Sequence, residues 1–324
     1  MHYYLVTGAA GFIGSETSRM LLERGDSVLG LDSMNNYYDV RLKEHRLESL
    51  KRYPAFSFIE AEVEDAEKVH AIFQNSERFT AVYHLAARAG VRYSVARPDL
   101  YAASNLCGVI NVMESMRSHD VQKIVLASTS SLYADERMPF NEEAATNKPR
   151  SPYAASKKAA ETMAYAYHHL HGLDISILRY FTVYGPAGRP DMAPLRFVRW
   201  IDEGHPITMY GDGTQGRDFT YVSDIARGTV LAEKKLGYEI INLGHGTQPV
   251  ELREFISVIE DILGKKAVID EKPFIAADMK DTWADITKAK SLLDWEPKVK
   301  LYAGLEKTVS WYRDNYYWIK EVKF

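Results

Sequence analysis

The sequence predicts an α/β fold: a doubly wound parallel sheet of Rossmann type, followed by a smaller carboxyl-terminal α/β lobe for substrate. Three observations carry this expectation. A short apolar strand runs directly into Gly8-x-x-Gly11-x-x-Gly14, strand-type and helix-type segments then alternate to about residue 180, and beyond that point the elements shorten. The expected division is a nucleotide-binding part over 1–180, with a returning segment at about 217–246, and a substrate lobe over 181–324.

Tyr3 to Thr7 reads as the first strand and Phe12 to Glu23 as the first helix. Glycines between them permit a tight turn and let backbone approach a pyrophosphate, while the helix start offers unpaired N–H groups and a positive dipole end. Gly8, Gly11, Phe12, Ile13 and Gly14 are therefore expected cofactor contacts, although the spacing is GxxGxxG and not GxGxxG. The second strand, Ser27 to Leu31, ends at Asp32, where a carboxylate accepts hydrogen bonds from an adenosine ribose and repels the extra phosphate of NADP. The expected cofactor is NAD. Arg41 and Lys43 lie along the next helix, too far on to overturn that preference.

A strand at Phe56 to Glu60 follows, and Glu62 and Val63 come after it, where an acidic group can meet the adenine amine. Helix Asp65 to Gln74, strand Ala81 to Leu85, helix Asp99 to Ser118 and strand Val121 to Ala127 continue the alternation. Leu85-Ala86-Ala87 closes the fourth strand with residues that would let backbone pack on a flat cofactor ring, or would equally serve a crowded helix–sheet contact.

The apolar run Ile124 to Ala127 delivers a hydroxyl cluster, Ser128-Thr129-Ser130-Ser131, and downstream stands Tyr153-Ala-Ala-Ser-Lys157. Residues four apart share a helix face, so the ammonium can stabilise a phenolate. A free tyrosine has a pKa of about 10 and needs such help to act as a base near neutrality. For Ser130 and Ser131, strand-end capping is an equal alternative to ligand contact.

In the lobe the expected elements are helix Pro194 to Glu203, a strand at Ile207 to Tyr210, helix Ser223 to Lys234, strand Tyr238 to Leu243, helix Glu251 to Leu263 and a helix start at Lys288 to Leu293. Tyr238 to Leu243 is expected to rejoin the nucleotide-binding sheet. Trp311, Tyr312, Tyr316, Tyr317 and Trp318 read as helix packing. A hydrophobic content of 46% with ordinary charge indicates a globular chain. No apolar run approaches the roughly 18 residues of a membrane span, and the amino terminus reads as a strand and not a signal peptide, so the expectation is a cytoplasmic protein without membrane contact. The lone Cys107 cannot form an internal disulfide and is expected to be a small core residue. A net charge of −4 argues against nucleic acid and requires arginines to gather locally if an anion is bound. His168, His169 and His171 lack the partners of a metal spacing and read as a solvated helix face, so no metal is expected.

With these motifs in order, the chain resembles the extended short-chain dehydrogenase/reductase family over essentially its whole length. His84-Leu-Ala-Ala-x-Ala-Gly-Val-Arg92-Tyr-Ser94, Arg179-Tyr-Phe-Thr-Val-Tyr-Gly-Pro186, Gly188-Arg-Pro-Asp-Met-Ala193, Tyr210-Gly-Asp-Gly213 and Gly216-Arg-Asp-Phe-Thr-Tyr221 are similar to the branch of nucleotide-sugar 4-epimerases acting on UDP-glucuronate. By motif, the resemblance implies Thr129, Tyr153 and Lys157 as the catalytic trio, Arg217 and Asp278 as contacts to UDP, and Tyr180, Phe181 and Thr182 along the sugar diphosphate. Arg88, Arg92 and Tyr210 are further candidates for the substrate. It also implies a homodimer through helices at 98–118 and 152–171. The chain departs from the pattern at Ala134, where glycine is usual, at Ala187, where tryptophan is common, at Arg88, which replaces a glutamine, and at Ala276-Ala277-Asp278, which replaces Pro-Gly-Asp.

The implied chemistry is oxidation of the sugar at carbon 4 by NAD, with Tyr153 taking the hydroxyl proton, Thr129 holding the oxygen and Lys157 lowering the tyrosine pKa. Hydride return to the opposite face of the 4-keto sugar would invert the centre. The ketone makes the substrate a β-keto acid that can lose carbon dioxide, and Arg189, with Ser130 and Ser131, is suited to hold the carboxylate. Related lyases read S-T-D-E or S-T-S-E at the strand end; Ser128-Thr-Ser-Ser131 offers no such acid. The competing expectations are a UDP-glucose 4-epimerase, a UDP-glucuronate decarboxylase and, more remotely, an NAD-binding regulator without catalysis.

Overall fold

The computed structural model describes residues 2–134, 136–274 and 279–323. Seven strands form one parallel sheet: β1 (Tyr3–Thr7), β2 (Ser27–Asp32), β3 (Phe56–Glu60), β4 (Ala81–His84), β5 (Lys123–Thr129), β6 (Asp174–Tyr180) and β7 (Tyr238–Leu243). Their spatial order is β3-β2-β1-β4-β5-β6-β7. The chain winds outward from β1 in one direction and from β4 in the other, so the crevice for a ligand opens at the carboxyl ends of these two strands. Registers align those ends: Thr7 pairs with Leu31 and His84, and Thr129 pairs with Tyr180.

Strands covered on both faces need apolar side chains on both, which is why they read as nearly continuous hydrophobic runs. Tyr4, Val6, Tyr83, Val125 and Leu178 fill one core, and Leu5, Leu29, Val82, Ile124 and Ile177 fill the other. The flanking helices include α1 (Phe12–Glu23), α2 (Arg41–Leu50), α3 (Ala66–Asn75), α4 (Gly108–Ser118) and α5 (Pro152–His171). Ser151 caps α5 by accepting from the Ala154 N–H at 3.2 Å, Pro152 opens its first turn, and Gly172 ends it at φ +69°. This start sets the helical phase that puts Tyr153 and Lys157 toward the end of β5.

As expected, Tyr238–Leu243 returns to pair with β6. The lobe's own strands are short: Phe219–Tyr221 lies parallel to Thr182–Tyr184, Ile269–Lys272 parallel to Ile207–Tyr210, and Val250–Glu251 antiparallel to Gly216–Arg217. A third core of Phe197, Val198, Phe255, Ile259, Leu305 and Tyr312 holds the lobe, and Leu42 of α2 inserts into it. Trp311, Tyr312 and Trp318 pack as expected, whereas Tyr317 is exposed.

Two expectations are corrected. The single helix expected over Asp99 to Ser118 is a series, Val91–Ala96, Pro98–Ala102, a π-helical turn at Ala103–Cys107, and α4. Cys107 is exposed, because the inward face of this series runs through Ser104, Asn105, Gly108 and Val109. No helix among the described residues is long and apolar enough to cross a membrane.

Candidate active site

The end of β5 and the first turns of α5 bring Thr129, Tyr153 and Lys157 together. Lys157 is 3% exposed, and its Nζ donates to the Ala127 carbonyl at 2.9 Å. Burial pushes its ammonium down to about 8, against a counteracting pull from the Glu161 charge. Burial raises the Tyr153 phenol, while a hydrogen bond with Thr129 and the positive charge of Arg189 draw it back down. Lys157 donates to the Ala127 carbonyl of β5, and the positive charge of Arg189 also acts on the phenol. Thr129 also caps the turn after β5: its Oγ1 accepts from the Ser131 N–H and donates to the Ser131 hydroxyl, each at 3.2 Å. Capping and a place beside Tyr153 coexist in one hydroxyl. Ser130 is buried and Ser131 half-buried in that turn.

The glycine turn leaves no room for side chains. Gly8 adopts φ +73°, and a Cβ on it would lie 2.7 Å from the Ala86 nitrogen; one on Gly14 would lie 2.0 Å from the Gly8 carbonyl oxygen. Gly11 forms the N-cap of α1, and Phe12 and Ile13 are half-buried at its start. Asp32 accepts from the Ala10 N–H at 3.2 Å and the Met34 N–H at 3.0 Å. Lys43, set aside by the sequence reading, also reaches it, with Nζ 3.5 Å from Oδ1. Leu85 and Ala86 are tied back to β1, the Leu85 N–H donating to the Thr7 carbonyl at 3.2 Å and the Ala86 N–H to the Thr7 hydroxyl at 3.1 Å. Ala87 continues this half-buried segment, Val63 is buried and Glu62 is exposed. A cradle closed to any Cβ, at a helix start beside an acidic strand end, fits a dinucleotide with a free ribose.

His84 completes the floor. Its Nδ1 lies 3.0 Å from the Thr7 hydroxyl, and its Nε2 is buried without a hydrogen-bond partner. Burial, reinforced by the Lys157 charge, pushes the imidazole down to about 3 and keeps it neutral.

On the substrate side, Arg189 forms a two-point pair with Asp191, Nε to Oδ1 at 3.0 Å and Nη2 to Oδ2 at 2.5 Å. Its guanidinium lies 5.6 Å from the Tyr37 ring centre, and Tyr101 meets Tyr153 edge-on at 6.1 Å. The expected open fork is therefore already engaged. Arg92 stacks 4.3 Å from the centre of the Tyr210 ring, and Arg217 donates to the Gly216 and Lys280 carbonyls at 2.8 and 2.7 Å. Arg88 has a buried Nε without a partner. Of the segment expected along the sugar diphosphate, Tyr180 and Phe181 have buried side chains, the Tyr180 hydroxyl lying 2.8 Å from that of Thr229, and Thr182 is half-buried. Asp278 lies outside the described residues.

Several residues escaped the sequence reading. Asn105, on the π turn, accepts from the Arg88 N–H at 2.8 Å and donates to the Arg88 carbonyl at 3.0 Å and the Ser156 hydroxyl at 2.9 Å. It clamps the segment after β4 to α5. Arg46 donates to the Ala10 carbonyl at 3.1 Å and twice to the Ala187 carbonyl, at 3.0 and 2.7 Å, joining the glycine turn to the loop before Arg189. Ala187 and Ala134, two of the departures noted above, have φ of +52° and +46°, a region that favours glycine. The signal for Asn105 was available, as an amide on an apolar helical face; Arg46 carried none.

Residues 5–308 match a family model described as GDP-mannose 4,6 dehydratase. The chain is 52% identical to a UDP-glucuronate 4-epimerase of Thermodesulfobacterium geofontis over 323 residues, covering all of both proteins. Among solved structures, a Bacillus cereus UDP-glucuronic acid 4-epimerase in complex with UDP-glucuronic acid and NAD superposes with a TM-score of 0.91 at 37% identity, over 96% of this chain and 99% of the other. A UDP-glucose 4-epimerase of Thermotoga maritima with UDP-glucose matches at a TM-score of 0.88 and 32% identity, over 97% and 99%.

Proposed function

The chain belongs to the extended short-chain dehydrogenase/reductase family, and from that premise we propose that it is a UDP-glucuronate 4-epimerase, interconverting UDP-glucuronate and UDP-galacturonate with NAD as a recycled cofactor. The observation that carries this reading is the full-length 52% identity to an enzyme of that name. The Bacillus cereus structure with UDP-glucuronic acid and NAD supports the same ligand pair.

Gly8, Gly11 and Gly14 bring backbone against the pyrophosphate, and Asp32 receives the adenosine ribose. NAD held by these residues would supply a reversible hydride acceptor for carbon 4 of the sugar. Tyr153 accepts the proton of the 4-hydroxyl and later gives it back, while Thr129 holds the oxygen. Lys157 bears the charge that favours the phenolate, and Arg189, with Ser130 and Ser131, restrains the sugar carboxylate against loss of carbon dioxide. Ser131 stands where related lyases carry an acid, which disfavours both the decarboxylase and the dehydratase outcome. Arg217 and Asp278 serve the UDP moiety.

We further propose a cytoplasmic homodimer paired through the helices at 98–118 and 152–171. The boundary falls near residue 180, with 217–246 returning to the nucleotide-binding part.

The test supplies the purified protein with UDP-glucuronate, with and without added NAD, and follows the sugar by proton NMR. UDP-galacturonate is the expected product. A pentose product alone, or no conversion under either condition, would overturn the reading.

A further inference from the structure

The Arg189 guanidinium is not waiting empty for a carboxylate. Its Nε and Nη2 edge is taken by both oxygens of Asp191, two residues further on, in a pair that leaves the arginine 18% and the aspartate 29% exposed. Nη2 also lies 3.4 Å from the Ala89 carbonyl. A second carboxylate arriving at this guanidinium meets a resident anion on the same group, and like charges at such spacing repel.

The neighbourhood provides somewhere for the resident to go. Arg196, on the helix Ala193–Glu203 that begins just after Asp191, is half-buried and stacks 5.2 Å from the centre of the Trp200 ring. Its Nε donates to the Pro190 carbonyl at 3.4 Å, which holds it beside the same turn, and the charges of Asp191 and Arg92 both act on it. Asp191 thus lies in a cationic neighbourhood made by Arg189, Arg196 and Arg92. A substrate carboxylate would bring a second anion to this cationic cluster.

We propose that Asp191 is a specificity-determining residue: a resident carboxylate that holds Arg189 in the free enzyme and yields it to the carboxylate of the sugar by turning to Arg196. This rests on the reading of Arg189 as the partner of the substrate carboxylate. In the free enzyme the pair spares a desolvated arginine from standing uncompensated next to Tyr153. A hexose with a neutral carbon 6 cannot displace Asp191 and leaves the pair closed. As product departs, the aspartate swings back and competes it off.

The test is isothermal titration of the NAD-loaded enzyme with UDP-glucuronate and, separately, with UDP-glucose, in the wild type, Asp191→Asn and Arg196→Met. Without the competing charge, Asp191→Asn is expected to bind UDP-glucuronate about tenfold more tightly, the size of a charge-assisted hydrogen bond lost by the rival. Its UDP-glucose affinity stays within about twofold, which shows that the fold and the UDP site are intact. In turnover, KM for UDP-glucuronate and kcat fall together, because product is also held. Arg196→Met, which deprives Asp191 of its second partner, weakens UDP-glucuronate binding and spares UDP-glucose. An Asp191→Asn enzyme whose preference between the two ligands equals that of the wild type, or which loses affinity for both alike, overturns the proposal. Failure of the underlying reading looks different: Arg189→Ala would then bind UDP-glucuronate as tightly as the wild type.

Discussion

The Arg179 guanidinium grips both oxygens of the Glu161 carboxylate, Nε to Oε1 at 3.0 Å and Nη2 to Oε2 at 2.8 Å, one helical turn beyond Lys157, with both side chains almost wholly removed from water. Ser128 donates to the same carboxylate at 2.6 Å, and Arg179 continues to the Tyr133 hydroxyl at 3.0 Å, which donates to Asn242 at 2.6 Å. A buried ionic network thus underlies the strand that presents Thr129.

Removing one member of that pair strands the other. Arg179→Met is expected to cost roughly 3–5 kcal/mol of stability, because the buried Glu161 charge is left with the Ser128 hydroxyl and the Lys158 ammonium 3.9 Å away, whereas adding Glu161→Leu should recover much of the loss. Urea unfolding of the two single variants and the double variant measures this. A loss under about 1 kcal/mol in the single variant would mean that the pair is no more than a surface-like contact.

Asn105→Ala is expected to lower stability by roughly 1–3 kcal/mol, since the half-buried N–H and carbonyl of Arg88 each lose a partner. It should also lower kcat more than it raises KM, because the clamp to Ser156 fixes α5 and with it Tyr153. Thermal melts and steady-state kinetics separate the two effects, and unchanged kcat would contradict the clamp.

His84 gives stability a pH dependence of known sign. Its folded-state pKa of about 3 lies below the ordinary 6.5, so between those values the unfolded chain binds the proton and the native protein does not. Stability contributed by this group is fully present above pH 6.5 and drains away as pH falls toward 3. In wild type, the slope of unfolding free energy against pH across that window should exceed that of His84→Gln by up to one proton. Equal slopes would mean that the imidazole is already charged in the native state.

Arg189→Ala and Ser131→Glu both act on the carboxylate of the keto intermediate. Each is expected to divert part of the turnover to a pentose product with release of carbon dioxide, the first by freeing the carboxylate and the second by placing an acid at the end of β5. Carbon dioxide release unchanged in both variants would remove the restraint role from these residues.

The sequence was most legible where local rules dominate. The glycine turn, the phase of α5 and the apolar strands follow from backbone sterics, helical spacing and double-sided burial, so β1, β3, α1 and the shared face of Tyr153 and Lys157 stand where the pattern put them. Lys43 on Asp32 and Arg46 on Ala187 depend on which elements the fold brings together, and no spacing rule supplies that. Cys107 was judged by residue type when its helical phase, out of step with Asn105 and Val109, already pointed it outward. For Tyr180 and Phe181 a motif marks a segment of chain, while strand alternation and burial decide which of its atoms face a ligand.

The central claim is that the hydrogen leaving carbon 4 is the one that returns to it. Epimerisation of UDP-glucuronate labelled with deuterium at that carbon, followed by mass spectrometry and NMR of the product, tests this directly. The expected result is UDP-galacturonate that keeps the label at carbon 4 in ordinary water, with no label acquired there by unlabelled substrate in heavy water. Loss of the label, or uptake from the solvent, would contradict a reaction held within one closed site.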